Sequence, residues 1–256
     1  MIRLDILLVQ KGYAKSRSAA AGLIKEGRVT VNGKTAVKPS EIYDESCNIQ
    51  INYPLEQYVS RGGYKLAAAI EGFAIDVKDK ICLDIGASTG GFTDCLLQNG
   101  AKKVYAVDCG HSQLDDKIKN NPNVVNIEQI NARFLKKADF SDKIDLIVMD
   151  VSFISQTLIY PACGDILAEG GVMVTLVKPQ FELDKSKISK NGIVKDEKGI
   201  YFNEIKAKIT KAAENNSFRL VDIIWSPITG GDGNKEYLAY FVRRNSHEGI
   251  GVSQPE

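Results

Sequence analysis

The chain has 256 residues, of which 44% are hydrophobic and 25% charged, and its formal net charge is +1. These are ordinary values for a globular protein. The lack of a secretory leader and of any apolar run of ~18 residues argues against an exported or bilayer-spanning protein. Five scattered cysteines without a CxxC pair predict reduced thiols and a cytoplasmic location.

Residues 1–53 form a first block with a strongly basic start. Residues 1–38 carry eight Lys or Arg against two acids, whereas residues 39–58 carry four acids and no basic residue. A basic segment suits a polyanion such as nucleic acid, and a solvated basic surface is an equal alternative. Apolar spacing predicts two helices, with Ser16 as the N-cap of the second, and then a hairpin that turns at Asn32-Gly33. The expected elements are helices over 3–10 and 16–25, the hairpin over 28–37 and a strand over 48–51.

Residues 54–60 are expected to be a linker, and beyond them predicted strands and helices alternate. This order predicts a parallel sheet with helices on both faces over residues 61–244, followed by a frayed tail over 245–256. Strands are expected over 81–86, 103–108, 124–127, 144–150, 172–178, 219–224 and 237–242. Helices are expected over 63–73, 92–99, 113–119, 155–168 and 199–216.

A glycine-rich turn follows the first of these strands, in the stretch CLDIGASTGGF over residues 82–92. A doubly wound sheet binds a ligand at such a turn, but the dinucleotide fingerprint requires a glycine where Ser88 stands. S-adenosylmethionine, which has no pyrophosphate, is therefore the preferred cofactor, and NAD is the alternative. Asp108 stands where a carboxylate would bind ribose hydroxyls, and Asn131 would face an adenine unless it is only a turn residue. The cofactor-binding candidates are Asp84, Gly86, Ala87, Ser88, Gly90, Gly91, Phe92, Asp108 and Asn131.

Four charged residues are expected near one edge of the predicted sheet. Asp150 and Lys178 end two strands, Glu236 directly precedes the last strand, and Lys65 begins the helix before the first strand. Ligand crevices of doubly wound sheets lie outside the carboxyl ends of the strands, so these residues are candidates for an acid–base network. The alternative is a rim of ordinary ion pairs, since lysines often extend from the rim of a core.

Five motifs in order resemble those of the TlyA family, and the resemblance covers residues 1 to about 244. The motifs are VSRGGYKL (59–66), DIGASTGGF (84–92), DVSFIS (150–155), LVKPQFE (176–182) and GNKEY (233–237). The resemblance implies an α/β protein in which a small N-terminal α+β S4-type RNA-binding domain precedes an FtsJ-like (RrmJ-like) methyltransferase domain with a doubly wound, Rossmann-like, seven-stranded sheet. The chain departs from its relatives at Leu183-Asp184, where they commonly carry a glycine.

The resemblance also implies an S-adenosylmethionine-dependent 2′-O-methyltransferase that acts on a cytidine ribose of ribosomal RNA. The family's Lys-Asp-Lys-Glu tetrad falls on Lys65, Asp150, Lys178 and Glu236. A ribose hydroxyl is a poor nucleophile until a base takes its proton, and a lysine can do so only when neutral. We predict Lys178 as this base, Asp150 as the group that orients it, and Lys65 and Glu236 as groups that position it and tune its pKa.

The expected partner is ribosomal RNA or a ribosomal subunit, with no membrane and no metal, and the protein is expected to be a monomer. The family has a shorter form, which is associated with the large subunit. We expect this form, because Arg3 lies near the start of the chain and only 12 residues follow Arg244. Two other functions remain open: a non-catalytic RNA-binding or ribosome-assembly factor, and the membrane-lytic hemolysin that the family's older name suggests. The candidates for holding RNA phosphates are Arg3, Lys11, Lys15, Arg17, Lys25, Arg28, Lys34 and Arg61.

Overall fold

The computed structural model describes residues 1–14, 16–25, 27–51, 57–194, 199–230 and 233–245. The chain divides into two compact units, Met1–Gln57 and Tyr58–Glu256. Lys15, the start of the predicted linker and all but the first residue of the predicted tail lie outside the described residues. All five cysteines are free thiols.

The first unit contains two helices and five short strands. In chain order these are β1 (Ile2–Arg3), α1 (Leu4–Gln10), α2 (Arg17–Lys25), β2 (Val29–Val31), β3 (Lys34–Thr35), β4 (Ile42–Tyr43) and β5 (Ile49–Ile51). The strands form an antiparallel sheet in the order β3-β2-β5, and a separate pair joins β1 to β4. The β1–β4 pair was not predicted, because two residues are too few to show an alternating pattern.

Local signals in the first unit act as the sequence predicts. The Ser16 hydroxyl caps α2 by accepting a hydrogen bond from the Ala19 amide at 3.2 Å. Asn32 and Gly33 both have positive φ, 51° and 78°, as the hairpin between β2 and β3 requires. The apolar side chains of α1 and α2 pack on the sheet and form a small core of their own.

The second unit is built on one seven-stranded mixed sheet. Its strands are β6 (Ile81–Ile85), β7 (Lys103–Val107), β8 (Val124–Ile127), β9 (Ile144–Met149), β10 (Leu167–Val177), β11 (Phe218–Trp225) and β12 (Tyr237–Arg243). They lie in the order β11-β12-β10-β9-β6-β7-β8. The helices of this unit are α3 (Gly62–Gly72), α4 (Gly91–Gln98), α5 (Asp116–Lys119), α6 (Tyr160–Ile166), α7 (Pro179–Glu182) and α8 (Phe202–Glu214). The predicted α/β doubly wound class is confirmed.

The sheet departs from the prediction in the direction of its last strand. β12 runs antiparallel to both β10 and β11, whereas the other neighbouring strands pair in parallel. The described part of the connection from β11 to β12 contains no helix. A parallel return needs a long crossover, so this short connection brings the chain back antiparallel.

The predicted helix over 155–168 is shorter than expected. It consists of a 3-10 turn over Gln156–Leu158 and then α6, and β10 already begins at Leu167. The register of β10 against β9 shifts between Leu167 and Val172, next to Gly170 with φ of 70°. The first residues of β10 were not predicted as strand, because the glycines interrupt the apolar run on which the prediction depends.

Two apolar cores cover the two faces of the sheet. One contains Tyr160, Ile205 and Phe218 with the side chains that α6 and α8 pack against it. The other contains Leu66 and Leu96 from α3 and α4. Strands buried on both faces read as continuous apolar runs, which is why the central ones were predicted closely. Within the described ranges no helix is long and apolar enough to cross a membrane.

Candidate active site

A cleft opens at the carboxyl ends of β6, β7 and β9. It comprises a cavity of about 460 Å³ and an adjoining one of about 180 Å³. Gly86, Ser88, Asp150 and Ser152 line both of them. Since the carboxyl ends of parallel strands are where doubly wound sheets bind ligands, this cleft is the candidate active site.

The turn between β6 and α4 needs its glycines. Gly86 has φ of +84°, and a Cβ there would collide with the Asp150 backbone oxygen. Gly90 has φ of +94°, and a Cβ on Gly91 would collide with the Ser60 hydroxyl. The glycines therefore allow a left-handed turn and a close approach of the chain segments around the cleft.

Asp108 and Asn131 both line the larger cavity. The two carboxylate oxygens of Asp108 accept the amides of Ser88 at 2.8 Å and Gly110 at 2.7 Å, which fixes the carboxylate at the cavity wall. The Asn131 side chain accepts the Arg133 amide at 3.1 Å. Asn131 is thus a turn residue, as one alternative had it, and a cavity residue at the same time.

Asp84 does not line either cavity, although it was a cofactor-binding candidate. It is fully buried in β6, where one carboxylate oxygen accepts the Thr93 hydroxyl at 2.7 Å. The other oxygen has no hydrogen-bond partner among the described residues. Burial raises the pKa of Asp84 to about 7, against the smaller lowering effect of Thr93. Asp84 therefore places a titratable carboxyl group beneath the glycine turn.

Lys178 and Asp150 are paired at the ends of the neighbouring strands β10 and β9. The Lys178 ammonium lies 2.6 Å from Asp150 Oδ1 and donates a hydrogen bond to the Ser152 hydroxyl at 2.8 Å. Only 12% of the Lys178 side chain is exposed. Ser152 was missed in the sequence because a serine in a loop gives no pattern, although it lies two residues after Asp150.

Lys65 and Glu236 form a second pair in the same region. The Lys65 ammonium donates to Glu236 Oε2 at 2.6 Å, and both side chains are buried. Burial raises the pKa of Glu236, while Lys65 and then Lys178 act in the opposite direction. Lys65, Asp150 and Lys178 line the smaller cavity. Glu236 does not line it but bonds Lys65. The structure thus brings the four predicted residues together as two ion pairs.

An exposed aromatic ring stands beside this arrangement and was not predicted. Phe153 is 93% exposed, has φ of 64° and lines the larger cavity. Its ring centroid lies 5.4 Å from that of Phe181, which follows Lys178 by three residues. A non-glycine residue with positive φ is uncommon and marks a constrained loop. Phe153 lies within the DVSFIS stretch (150–155), where Val151 and Ile154 are apolar too, so the sequence did not show which of these side chains is exposed.

The basic candidates of the first unit are mostly at its surface. Arg3 and Arg17 both pair with Asp5, whose pKa they hold at about 2, chiefly through the hydrogen bond from Arg3. Arg61, in the second unit, is exposed and donates to the Thr229 backbone oxygen at 3.1 Å. The remaining described candidates are exposed or half-buried: Lys11, Lys25, Arg28 and Lys34.

Comparisons with known proteins agree with this geometry. A family profile described as FtsJ-like methyltransferase matches residues 58–243. The chain belongs to the FtsJ-like methyltransferase family. An S4 domain profile matches residues 2–46 in the first unit of this FtsJ-like protein.

The FtsJ-like chain is similar over nearly its whole length to curated proteins. It is 46% identical to Hemolysin A of Brachyspira hyodysenteriae, covering 94% of this chain and 100% of that protein. It is 39% identical to the 16S/23S rRNA (cytidine-2′-O)-methyltransferase TlyA of Mycobacterium tuberculosis, covering 93% and 88%. A solved Streptococcus thermophilus protein that carries the hemolysin name matches with a TM-score of 0.77 at 41% identity, covering 96% and 89%.

Proposed function

We propose that this FtsJ-like protein is an S-adenosylmethionine-dependent 2′-O-methyltransferase of ribosomal RNA. The observation that carries the proposal is the Lys178–Asp150 pair at the carboxyl edge of the sheet, within the cleft that the glycine turn borders. The relative from Mycobacterium tuberculosis, named for cytidine 2′-O-methylation of 16S and 23S rRNA, supports a cytidine ribose as the target. Since ribosomal RNA is the proposed substrate, we propose that the protein acts in the cytoplasm.

The larger cavity fits the proposed cofactor. Its volume of about 460 Å³ lies within the ~300–1,000 Å³ of small-molecule sites. Asp108 is held with its carboxylate at the wall, where ribose hydroxyls would donate to it, and Asn131 would lie beside the adenine. When bound, S-adenosylmethionine supplies an electrophilic methyl group on its sulfonium.

Lys178 is the general base of this proposal. Its Nζ, in the neutral form, takes the proton of the ribose 2′-hydroxyl, and Asp150 at 2.6 Å stabilises the ammonium that results. The hydrogen bond to Ser152 limits the directions in which Nζ can point. This positioning contributes part of the rate acceleration, because the base is already held in place when the ribose hydroxyl binds.

Lys65 and Glu236 act as positioning groups for the same ribose. The pair is buried, so each charge is compensated by the other and neither has to be neutralised by solvent. Lys65 lines the smaller cavity and presents an ammonium group to it. A ribose or phosphate oxygen entering the cavity would accept a hydrogen bond from that group.

We infer that the target nucleotide is presented outside a helix, because Lys178 lines a small cavity and only 12% of its side chain is exposed. Phe153 offers an exposed ring beside the cleft on which a splayed base would stack. The basic surface of the S4 unit would bind RNA phosphates and position the substrate without reading its sequence. We favour the large ribosomal subunit as the substrate and a monomer as the acting species.

The test is methyl transfer to ribosomal subunits that lack the modification. Wild-type protein is expected to transfer labelled methyl groups from S-adenosylmethionine to a ribose 2′-oxygen, which is located by mapping the purified ribosomal RNA. Transfer to neither subunit, with RNA binding retained, would overturn the enzyme proposal and favour a ribosome-assembly factor. Transfer to the small subunit alone would overturn the choice of subunit.

A further inference from the structure

A further cavity lies at the same edge of the sheet as the tetrad, but on the other face. It has a volume of about 190 Å³, and Pro179, Trp225, Lys235 and Tyr237 contribute to its walls. The Tyr237 ring lies 5.1 Å from that of Phe202 in α8, whereas α3, which carries Lys65, packs in the opposite core. The cavity is therefore separate from the cofactor cleft and from the Lys65–Glu236 pair.

Trp225 is exposed in this cavity and held in place. Trp225 is 51% exposed, and the centroid of its indole lies 4.3 Å from that of the Tyr237 ring at an interplanar angle of 34°. The Lys235 ammonium lies 5.5 Å from the indole centroid. A large aromatic surface left in contact with water, beside an exposed lysine, is the combination that binds single-stranded nucleic acid through stacking and phosphate pairing.

Part of the cavity wall is fixed by a buried side chain. Asn234 is 3% exposed, donates to the Gly192 backbone oxygen at 2.9 Å and accepts the Val194 amide at 2.9 Å. These two bonds join residues 192–194 to the segment that enters β12. The cavity is thus preformed and does not depend on a bound ligand.

The chain connects this cavity directly to the proposed catalytic groups. Pro179 follows Lys178, and Lys235 precedes Glu236. Two residues that line the cavity are therefore direct chain neighbours of two tetrad residues, with Cα atoms about 3.8 Å apart. A volume of about 190 Å³ lies below the ~300–1,000 Å³ of drug-sized sites and suits one planar ring system.

We propose that this cavity is a nucleobase subsite for a nucleotide that flanks the methylated one. The base stacks on Trp225, and Lys235 moves from the indole to the phosphate. The subsite rests on the proposed function, because it assumes that the RNA strand passes Lys178. Every base has a stacking face, so the subsite requires an unpaired nucleotide rather than a particular base.

Trp225 is the single tryptophan of the chain, so its fluorescence reports on this subsite alone. Full-length protein is titrated with short single-stranded oligocytidylate, and binding is measured in parallel by fluorescence anisotropy of a labelled oligomer. We expect the tryptophan emission to change with the same midpoint as the anisotropy. An oligomer that binds while the emission stays constant would overturn the subsite.

Steady-state methylation of ribosomal subunits tests the subsite a second time. Trp225→Ala is expected to raise KM about fivefold to a hundredfold, the range for loss of one stacked base, with little change in kcat. Trp225→Phe should recover most of that loss, and Lys235→Gln should weaken binding less at high salt than at low salt. Val221→Ala, at a 42% exposed position of the same strand, is the matched control.

The two proposals fail differently in these experiments. Methylation by the wild type with an unchanged KM for Trp225→Ala would overturn the subsite and leave the methyltransferase in place. No methylation by the wild type would overturn the proposed function, whatever the tryptophan signal shows. If Trp225→Ala does not fold, Trp225→Phe and Lys235→Gln are compared with the wild type instead. Unchanged KM values and an unchanged salt dependence of binding would then overturn the subsite.

Discussion

The Lys178 ammonium lies 2.6 Å from Asp150 Oδ1, at the ends of two adjacent parallel strands. The contact is close but is not aligned as a hydrogen bond, since Asp150 Oδ1 has no hydrogen-bond partner among the described residues. The directed bond from Lys178 goes to Ser152 instead. Asp150 therefore acts on Lys178 mainly through its charge, and Ser152 sets the direction of the ammonium.

Lys178→Ala should remove the general base. We expect methyl transfer to fall by about 10²–10⁴-fold, the usual contribution of a general base, while S-adenosylmethionine still binds because Lys178 does not line the larger cavity. Single-turnover methylation and cofactor titration measure the two effects. Lys190→Ala, at an exposed lysine, is the control. A normal rate for Lys178→Ala would show that another group takes the proton.

Removing one charge of the Lys65–Glu236 pair should lower the unfolding free energy more than removing both charges together. Glu236→Gln leaves the Lys65 ammonium buried without its counter-charge, which typically costs about 3–5 kcal/mol of unfolding free energy. The double variant Lys65→Met with Glu236→Gln should lose less, because no unpaired charge remains. Urea denaturation of Glu236→Gln, of Lys65→Met and of the double variant tests this. A double variant whose loss equals the sum of the single losses would contradict the pairing.

Asp84 should make the stability of the free protein depend on pH. Its pKa is raised from 3.8 to about 7 in the folded state, so the contribution is fully present below about pH 4 and is lost as pH rises through 7. Asp84→Asn keeps an acceptor for Thr93 and removes the titration. The difference in unfolding free energy between variant and wild type should therefore shift in favour of the variant between pH 4 and pH 8. A difference that is constant over this range would refute the assignment.

Phe153→Ala should affect the reaction and leave the fold unchanged. The ring is 93% exposed, so we expect the unfolding free energy to change by no more than about 0.5 kcal/mol. Loss of a stacked base should lower kcat/KM for ribosomal subunits by about fivefold to a hundredfold. Leu158→Ala, at a 53% exposed position outside the cleft, serves as the control for surface truncation. Equal kcat/KM for wild type and Phe153→Ala would exclude the stacking role.

Short and irregular elements were the ones that the sequence could not predict. The β1–β4 pair has two residues on each strand, and β10 contains an irregularity before Val172. Neither shows a regular pattern of apolar residues in the sequence. The central strands, which are buried on both faces, appear there as continuous apolar runs. The antiparallel direction of β12 was missed because a strand's direction depends on its connection and not on its own residues.

The sequence by itself determined which chemistry-bearing residues follow which strands, since a parallel sheet places its strand ends at one edge. It also determined the turn at Asn32-Gly33 and the cap at Ser16, because these are local backbone requirements. The pairing of Lys65 with Glu236, 171 residues apart in the chain, was decided only by the tertiary structure. So were the burial of Asp84 and the exposure of Phe153 and Trp225. Burial and ion pairing depend on which distant segments pack together, and no local pattern carries that information.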